Sequence, residues 1–125
     1  RGAVWSLVLL LPALAAAGLE LRPRALLLSP GEGTPLALFW EAGEGIRLRL
    51  ELREATPWLL LEPLEGEARQ GEPFRPALQV APQAPPGLYR FTLVARAARE
   101  GEEGPVLGQF PLALLVTPWF LFRLA

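Results

Sequence analysis

The 125-residue chain has no cysteine, histidine, lysine, aspartate, asparagine or methionine, and each absence removes a class of chemistry. Without Cys there is no disulfide framework, no thiolate metal site and no lipoprotein acylation site, so cysteine usage is silent about redox compartment. Without His, Asp, Cys and Lys there is no Ser-His-Asp triad, no thiolate nucleophile and no Schiff-base lysine. Zinc sites built from Cys and His are excluded for the same reason. What is left is 13 Glu, 12 Arg, one Tyr, two Ser and four Thr. A Glu pair can hydrolyse a glycoside in principle, but these glutamates fall in turn-like or outward positions and outline no cleft. The sequence thus predicts a protein that is not an enzyme, with no catalytic, cofactor-binding or metal-ligating residues and no cofactor. A net charge of −1 gives no general pull toward nucleic acid or acidic lipid, and no nucleic-acid partner is expected.

Apolar residues are plentiful. They make up 51% of the chain, 28 positions are leucine, and mean hydropathy is +0.28. The length suits one domain with one modest core. A palette of Arg and Glu without Asn, Cys or Met, with 14 prolines, resembles that of a GC-rich thermophile. Codon bias alone gives the same palette.

Residues 1–17 combine a charged Arg1, an apolar run from Ala3 to Leu11, a break at Pro12 and the small residues Ala13 to Ala17. That is the layout of a secretory signal peptide cleaved after Ala15 or Ala17. As a membrane anchor, Ala3 to Leu19 is at the short end of a span and is interrupted by Pro12. A buried helix or strand is the third reading. The expected organisation is a signal peptide or membrane anchor over 1–17, a β-sandwich over 18–118 and an apolar tail over 119–125.

From Leu19 onward the pattern is β. Leu19 and Leu21 alternate with Glu20 and Arg22, and Pro23 marks an edge or a switch between sheets. Ile46, Leu48, Leu50 and Leu52 face one way, while Arg47, Arg49, Glu51 and Arg53 face the other. Pro63 to Gly71 reads as a polar loop, and Ala98 to Pro105 as a flexible hairpin tip. In the last strand, Val106 to Thr117, one face carries Phe110, Leu112, Leu114 and Val116. Its other face, with Leu107, Gln109, Ala113 and Leu115, is too apolar for a strand with one side in water.

The most informative stretch is Leu78 to Ala97. Pro85-Pro86-Gly87 fixes φ twice and then supplies a residue free to take positive φ, so the chain turns there. Tyr89, Phe91, Leu93 and Ala95 then alternate with Arg90, Thr92 and Arg96. A Tyr at the start of a strand just after a corner has the form of a tyrosine corner. With about seven strand-like runs separated by turn signals, the fold class is all-β, an immunoglobulin-like sandwich. The tail, Pro118-Trp119-Phe120-Leu121-Phe122, is unusually apolar for an exposed end. It suits packing on the sandwich, contact with a partner, the start of a missing second domain or the start of a membrane segment.

The run Trp58 to Pro63, followed by Phe74 to Val80 and by Ala84-Pro85-Pro86-Gly87-Leu88-Tyr89, resembles bacterial immunoglobulin-like modules of the NEW3-like type found on secreted and envelope proteins. It also resembles the first domain of periplasmic pilus-assembly chaperones, including Pro23-Arg24 on the first strand and a long alternating last strand. The chaperone likeness implies that the Phe110, Leu112, Leu114 and Val116 row completes a pilus subunit's sheet by strand addition. It further implies that Arg24 grips the subunit's C-terminal carboxylate. The Lys partner that family expects is missing, since the chain has no Lys.

These readings converge on a non-catalytic protein-binding or structural module, exported to the periplasm, cell envelope or extracellular space, with an envelope or pilus component as partner. The candidate partner-binding residues are Arg24, Phe110, Leu112, Leu114, Val116, Trp119 and Phe120. The alternatives are a pilus-chaperone-like subunit binder and a small subunit of a membrane-associated complex, touching lipid through residues 1–19.

Overall fold

The computed structural model describes residues 18–118 except Gly101, and the side chains of Glu102 and Glu103. The expected signal peptide or anchor at 1–17, and Trp119, Phe120 and the rest of the tail, lie outside the described residues. Among the described residues ten strand segments form: β1 (Leu19–Arg22), β2 (Ala25–Leu28), β3 (Gly33–Pro35), β4 (Ala37–Trp40), β5 (Ile46–Arg53), β6 (Leu59–Glu62), β7 (Glu65–Ala68), β8 (Ala77–Val80), β9 (Gly87–Arg99) and β10 (Glu102–Val116). They group into seven extended runs, because β1–β2, β3–β4 and β6–β7 are each one run with an interruption.

One sheet has the order β2-β10-β9-β5-β7. The facing layer consists of a β1-β4 pair and a β3-β8-β6 sheet. Reciprocal main-chain bonds between Leu38 and Phe74, and a bond from Leu36 N–H to the Pro76 carbonyl, knit these pieces together. The result is an all-β immunoglobulin-like sandwich. Two runs change sheets midway. β1 pairs with β4 and, past Pro23, β2 pairs with β10 in parallel. Likewise β6 pairs with β8 and, past Pro63, β7 pairs with β5. The peptide bonds preceding both prolines are cis.

The core is the inward row of each run. Leu36, Leu38, Leu48, Leu78, Leu93 and Leu114 are fully buried. The alternation expected of Ile46–Arg53 is observed, with Leu48 and Leu50 inside and Arg47, Arg49, Glu51 and Arg53 exposed. The corner also forms as expected. Gly87 takes φ 153°, and the Tyr89 hydroxyl donates to the Pro85 carbonyl at 2.9 Å. Its ring meets Trp58 edge-on at 4.7 Å, so the corner is fastened to the start of β6 as well.

Two local expectations change. Pro63 to Gly71 is not simply a loop, because β7 runs through it. Its inward positions are Gly66 and Ala68, too small to show as an apolar alternation, and Gly66 leaves room for the Phe74 ring. Its outward Glu65 pairs with Arg47 at 3.2 Å and Arg49 at 3.7 Å. The hairpin tip is also shorter than expected. β9 reaches Arg99 and β10 starts at Glu102, with the surplus residues absorbed in irregularities between Glu103 and Val106 and between Val106 and Gly108. Gly104 packs directly on the Ala97 carbonyl, which only a residue without Cβ allows.

Candidate protein-interaction edge

β10 is the longest strand and is incompletely paired. Along one side it bonds β9 over most of its length. Along the other side β2 covers only Ala113 to Val116. Among the described residues, no strand pairs with that side from Val106 to Leu112, which leaves roughly 20 Å of edge at ~3.3 Å per residue. The change of sheet at Pro23 creates this gap, because β1 sits in the opposite layer.

The direction of the free groups follows from the strand's alternation. Ala113 N–H donates to the Arg24 carbonyl and Thr117 N–H to that of Leu28. Odd-numbered residues therefore turn their main-chain groups toward the β2 side, and the pairing is regular from Gln109 onward. Gln109 N–H and C=O, and the Pro111 C=O, consequently point out along the open edge. Pro111 has no N–H to leave unsatisfied, which is where a strand proline is tolerated.

The predicted site residues are distributed unevenly over this surface. Phe110, Leu112, Leu114 and Val116 do share one face, but that face is the core, where their exposures are 4%, 2%, 0% and 1%. Their side chains are engaged within the sandwich, so a partner at the open stretch meets the main chain and the outward side chains of Gln109 and Pro111, in a row that continues as Ala113 and Leu115 beside β2. Leu107 leaves that row because the adjacent irregularity lets it pack against the core. Arg24 lies at the end of the open stretch. Its carbonyl is held by Ala113, and its guanidinium is exposed with no hydrogen bond or ion pair among the described residues. Trp119 and Phe120 are not described.

The surroundings are electrostatically mild. On β1, the Arg22 guanidinium donates to both Glu20 oxygens at 3.0 and 3.1 Å and lies 5.0 Å from the Phe39 ring centre. That hydrogen bond, followed by the charge of Arg22, holds the Glu20 carboxyl below the ordinary carboxylate range, and Arg22 is raised in return. Among the described residues there is no cluster of three or more His, Cys, Asp or Glu side chains that could hold a metal. A shallow open groove of about 680 Å³ follows β6, lined by Leu60 to Leu64. It lacks the convergent polar groups that orient a small ligand.

No protein-family model and no curated protein matches the chain. Its shape is matched among solved structures. WR4, an MSP family member of C. elegans, has 11% identity and a TM-score of 0.60, over 79% of this chain and 97% of WR4. A chaperone–tip adhesin complex of CFA/I fimbriae biogenesis has 12% identity and a TM-score of 0.62, over 82% of this chain and 56% of that one. The CsuC–CsuE chaperone–tip adhesion subunit pre-assembly complex of Acinetobacter baumannii has 10% identity and a TM-score of 0.60, over 81% and 53%. The chain thus spans nearly all of the MSP-family protein but little more than half of each chaperone-complex chain. At such identities the likeness is one of fold.

Proposed function

We propose that the protein is a non-catalytic protein-binding module of the cell envelope and that it takes up an extended segment of its partner along the free edge of β10. The observation that carries this reading is the open stretch from Val106 to Leu112, with the Gln109 main chain and the Pro111 carbonyl directed outward. An unpaired edge is a template for strand addition, where main-chain bonds supply affinity and side chains supply choice. The fold likeness to chaperone domains from complexes with fimbrial tip adhesins supports a protein partner, and the layout of residues 1–17 supports export.

The test uses fluorescent peptides in which apolar residues alternate with Ser and Thr, followed by anisotropy. Gln109→Pro removes the outward donor while leaving the inward row intact, and should weaken binding about tenfold, the value of one lost interface bond plus a steric block. Unchanged binding by Gln109→Pro would remove the β10 edge from the proposal.

The pilus-chaperone-like reading is favoured by one further placement, the exposed Arg24 guanidinium at the end of the open edge. If it grips a C-terminal carboxylate, Arg24→Ala should weaken a peptide acid and leave the corresponding amide unaffected. Equal loss for both peptides would reduce Arg24 to a surface residue.

A further inference from the structure

The outer face of the five-stranded sheet is not uniformly polar. Leu27 of β2, Leu115 of β10 and Leu88 of β9 stand side by side in register and are 57%, 42% and 60% exposed. They form one apolar row across three neighbouring strands, at the end of the sandwich where β10 finishes. A solvated sheet face ordinarily carries polar residues there. The next outward row is Ala25, Ala113 and Arg90, and the row after that brings Pro111, Thr92 and Arg53. Arg90 is exposed and has no hydrogen bond or ion pair among the described residues. The first carboxylate met along these paired rows is Glu51, which faces Arg53.

We propose that this end of the sandwich is a lipid-docking surface, with the Leu27–Leu115–Leu88 row entering an anionic bilayer leaflet and Arg90 engaging the headgroup phosphates. The depths suit that ligand. Leucine tips reach the acyl boundary while the cation, roughly 7 Å further along the strand, lies in the phosphate layer. A two-fold contact of a second copy through the leucines with its axis along the strands would bring one Arg90 toward the other, like charge to like, and only an axis across the strands keeps them apart. The chain's exit adds an independent pointer. Thr117 N–H still bonds to the Leu28 carbonyl, so the described chain leaves at this end, and the sequence that comes next, residues 119–123, is Trp-Phe-Leu-Phe-Arg. Aromatic residues with a cation are the composition favoured at a membrane interface. The opposite end is where Gly18 meets Glu41 and Ala42, roughly 30 Å away along the extended β1–β2 run. A contact made there by residues 1–17 is therefore separable from this one. The proposal concerns a different surface from the β10 edge and stands or falls without it.

Because the chain has no cysteine, a single introduced thiol labels one site. Leu88→Cys and, as the remote control, Glu44→Cys in the loop beside Gly18 would each carry an environment-sensitive dye on the full chain. Both would be titrated with vesicles of phosphatidylcholine, with and without phosphatidylglycerol. The expected result is a blue shift at position 88 that requires phosphatidylglycerol. Arg90→Gln, a surface change that leaves the core alone, should raise the lipid needed for half the shift about fivefold, the worth of one cation near an anionic leaflet. A shift at 44 alone would assign membrane contact to the N-terminal stretch and overturn the proposal. So would a dye at 88 already shielded without vesicles, whether dilution exposes it, as a second copy would require, or Trp119→Ser with Phe120→Ser exposes it, as packing of the chain's own tail would require. Equal shifts on both vesicle types would overturn the role of Arg90.

Discussion

Gly66→Ala is the sharpest probe of how the second sheet-switching run is held. A Cβ built at Gly66 lies 2.7 Å from both Cδ1 and Cζ of Phe74 and closer still to Cε1. Relaxed carbon contacts are ~3.5–4.0 Å, so the ring must retreat by about 1 Å. It has little freedom to do so. Phe74 is 7% exposed, and its backbone is fixed by bonds in both directions to Leu38. Overpacking of this kind costs about 1–3 kcal/mol. The reduced freedom of the unfolded chain returns about 0.4–1 kcal/mol. A net loss of about 1–2 kcal/mol is expected.

Guanidinium unfolding followed by Trp fluorescence measures that loss as a lower midpoint at unchanged slope. A double-mutant cycle tests the cause. Phe74→Leu alone should destabilise by leaving a gap, but the added methyl of Gly66→Ala should then be neutral or stabilising, giving a favourable coupling of at least about 1 kcal/mol. If Gly66→Ala is neutral by itself, or the two changes simply add, then Gly66 is not what admits the ring, and the inward side of β7 is not shaped by Phe74.

Three further outcomes follow from other contacts. Tyr89→Phe deletes the hydroxyl bond to Pro85 but keeps the ring on Trp58, and because the freed carbonyl can be hydrated it should cost about 1 kcal/mol in the same assay. Leu114→Ala opens a cavity at a fully buried position beside β9 and should cost about 2–5 kcal/mol, against little for Leu115→Ala on the opposite face. The Glu20 carboxyl is held low by Arg22, so whatever stability the pair contributes is present above the unfolded-state value and is lost as pH falls through the depressed one. An NMR titration should show Glu20 titrating below the ordinary glutamate value, and Arg22→Gln should remove most of that depression, with only the smaller pull of Arg24 remaining.

Much of the fold was legible because the runs obey simple rules. Period-two leucine rows gave the faces of β1, β5, β9 and β10, and Pro85-Pro86-Gly87 before Tyr89 marked the corner. What failed to show was what depends on a neighbour. β7 carries only Gly66 and Ala68 inward, and the absence of a side chain at Gly66 answers to the Phe74 ring rather than to any pattern along the strand. The candidate site was half legible. Parity grouped Phe110 with Leu112, Leu114 and Val116, but parity is the same whether a row faces a core or a partner. The facing layer, with Leu21, Leu38 and Leu78, decides for the core. The leucine row of β2, β10 and β9 was invisible in sequence because its members are 27, 88 and 115, adjacent only once the registers are known.

The single feature from which both proposed surfaces descend is the interruption at Pro23. Had the first run stayed beside β4 to its end, β10 would be open along its whole free side, a long bare edge of the kind that invites indiscriminate pairing. By crossing over, β2 closes the edge from Ala113 to Val116 and leaves open the part before it, including Val106–Leu112, where Pro111 lacks an N–H and further limits which strand can add. The same crossover sets Leu27 beside Leu115, completing an apolar row that two strands alone would leave at the margin of the sheet. Edge and row thus lie end to end along β10, with Ala113 at their boundary. A bilayer at the leucine end would leave the edge standing above the headgroups, open to a partner approaching from the aqueous side.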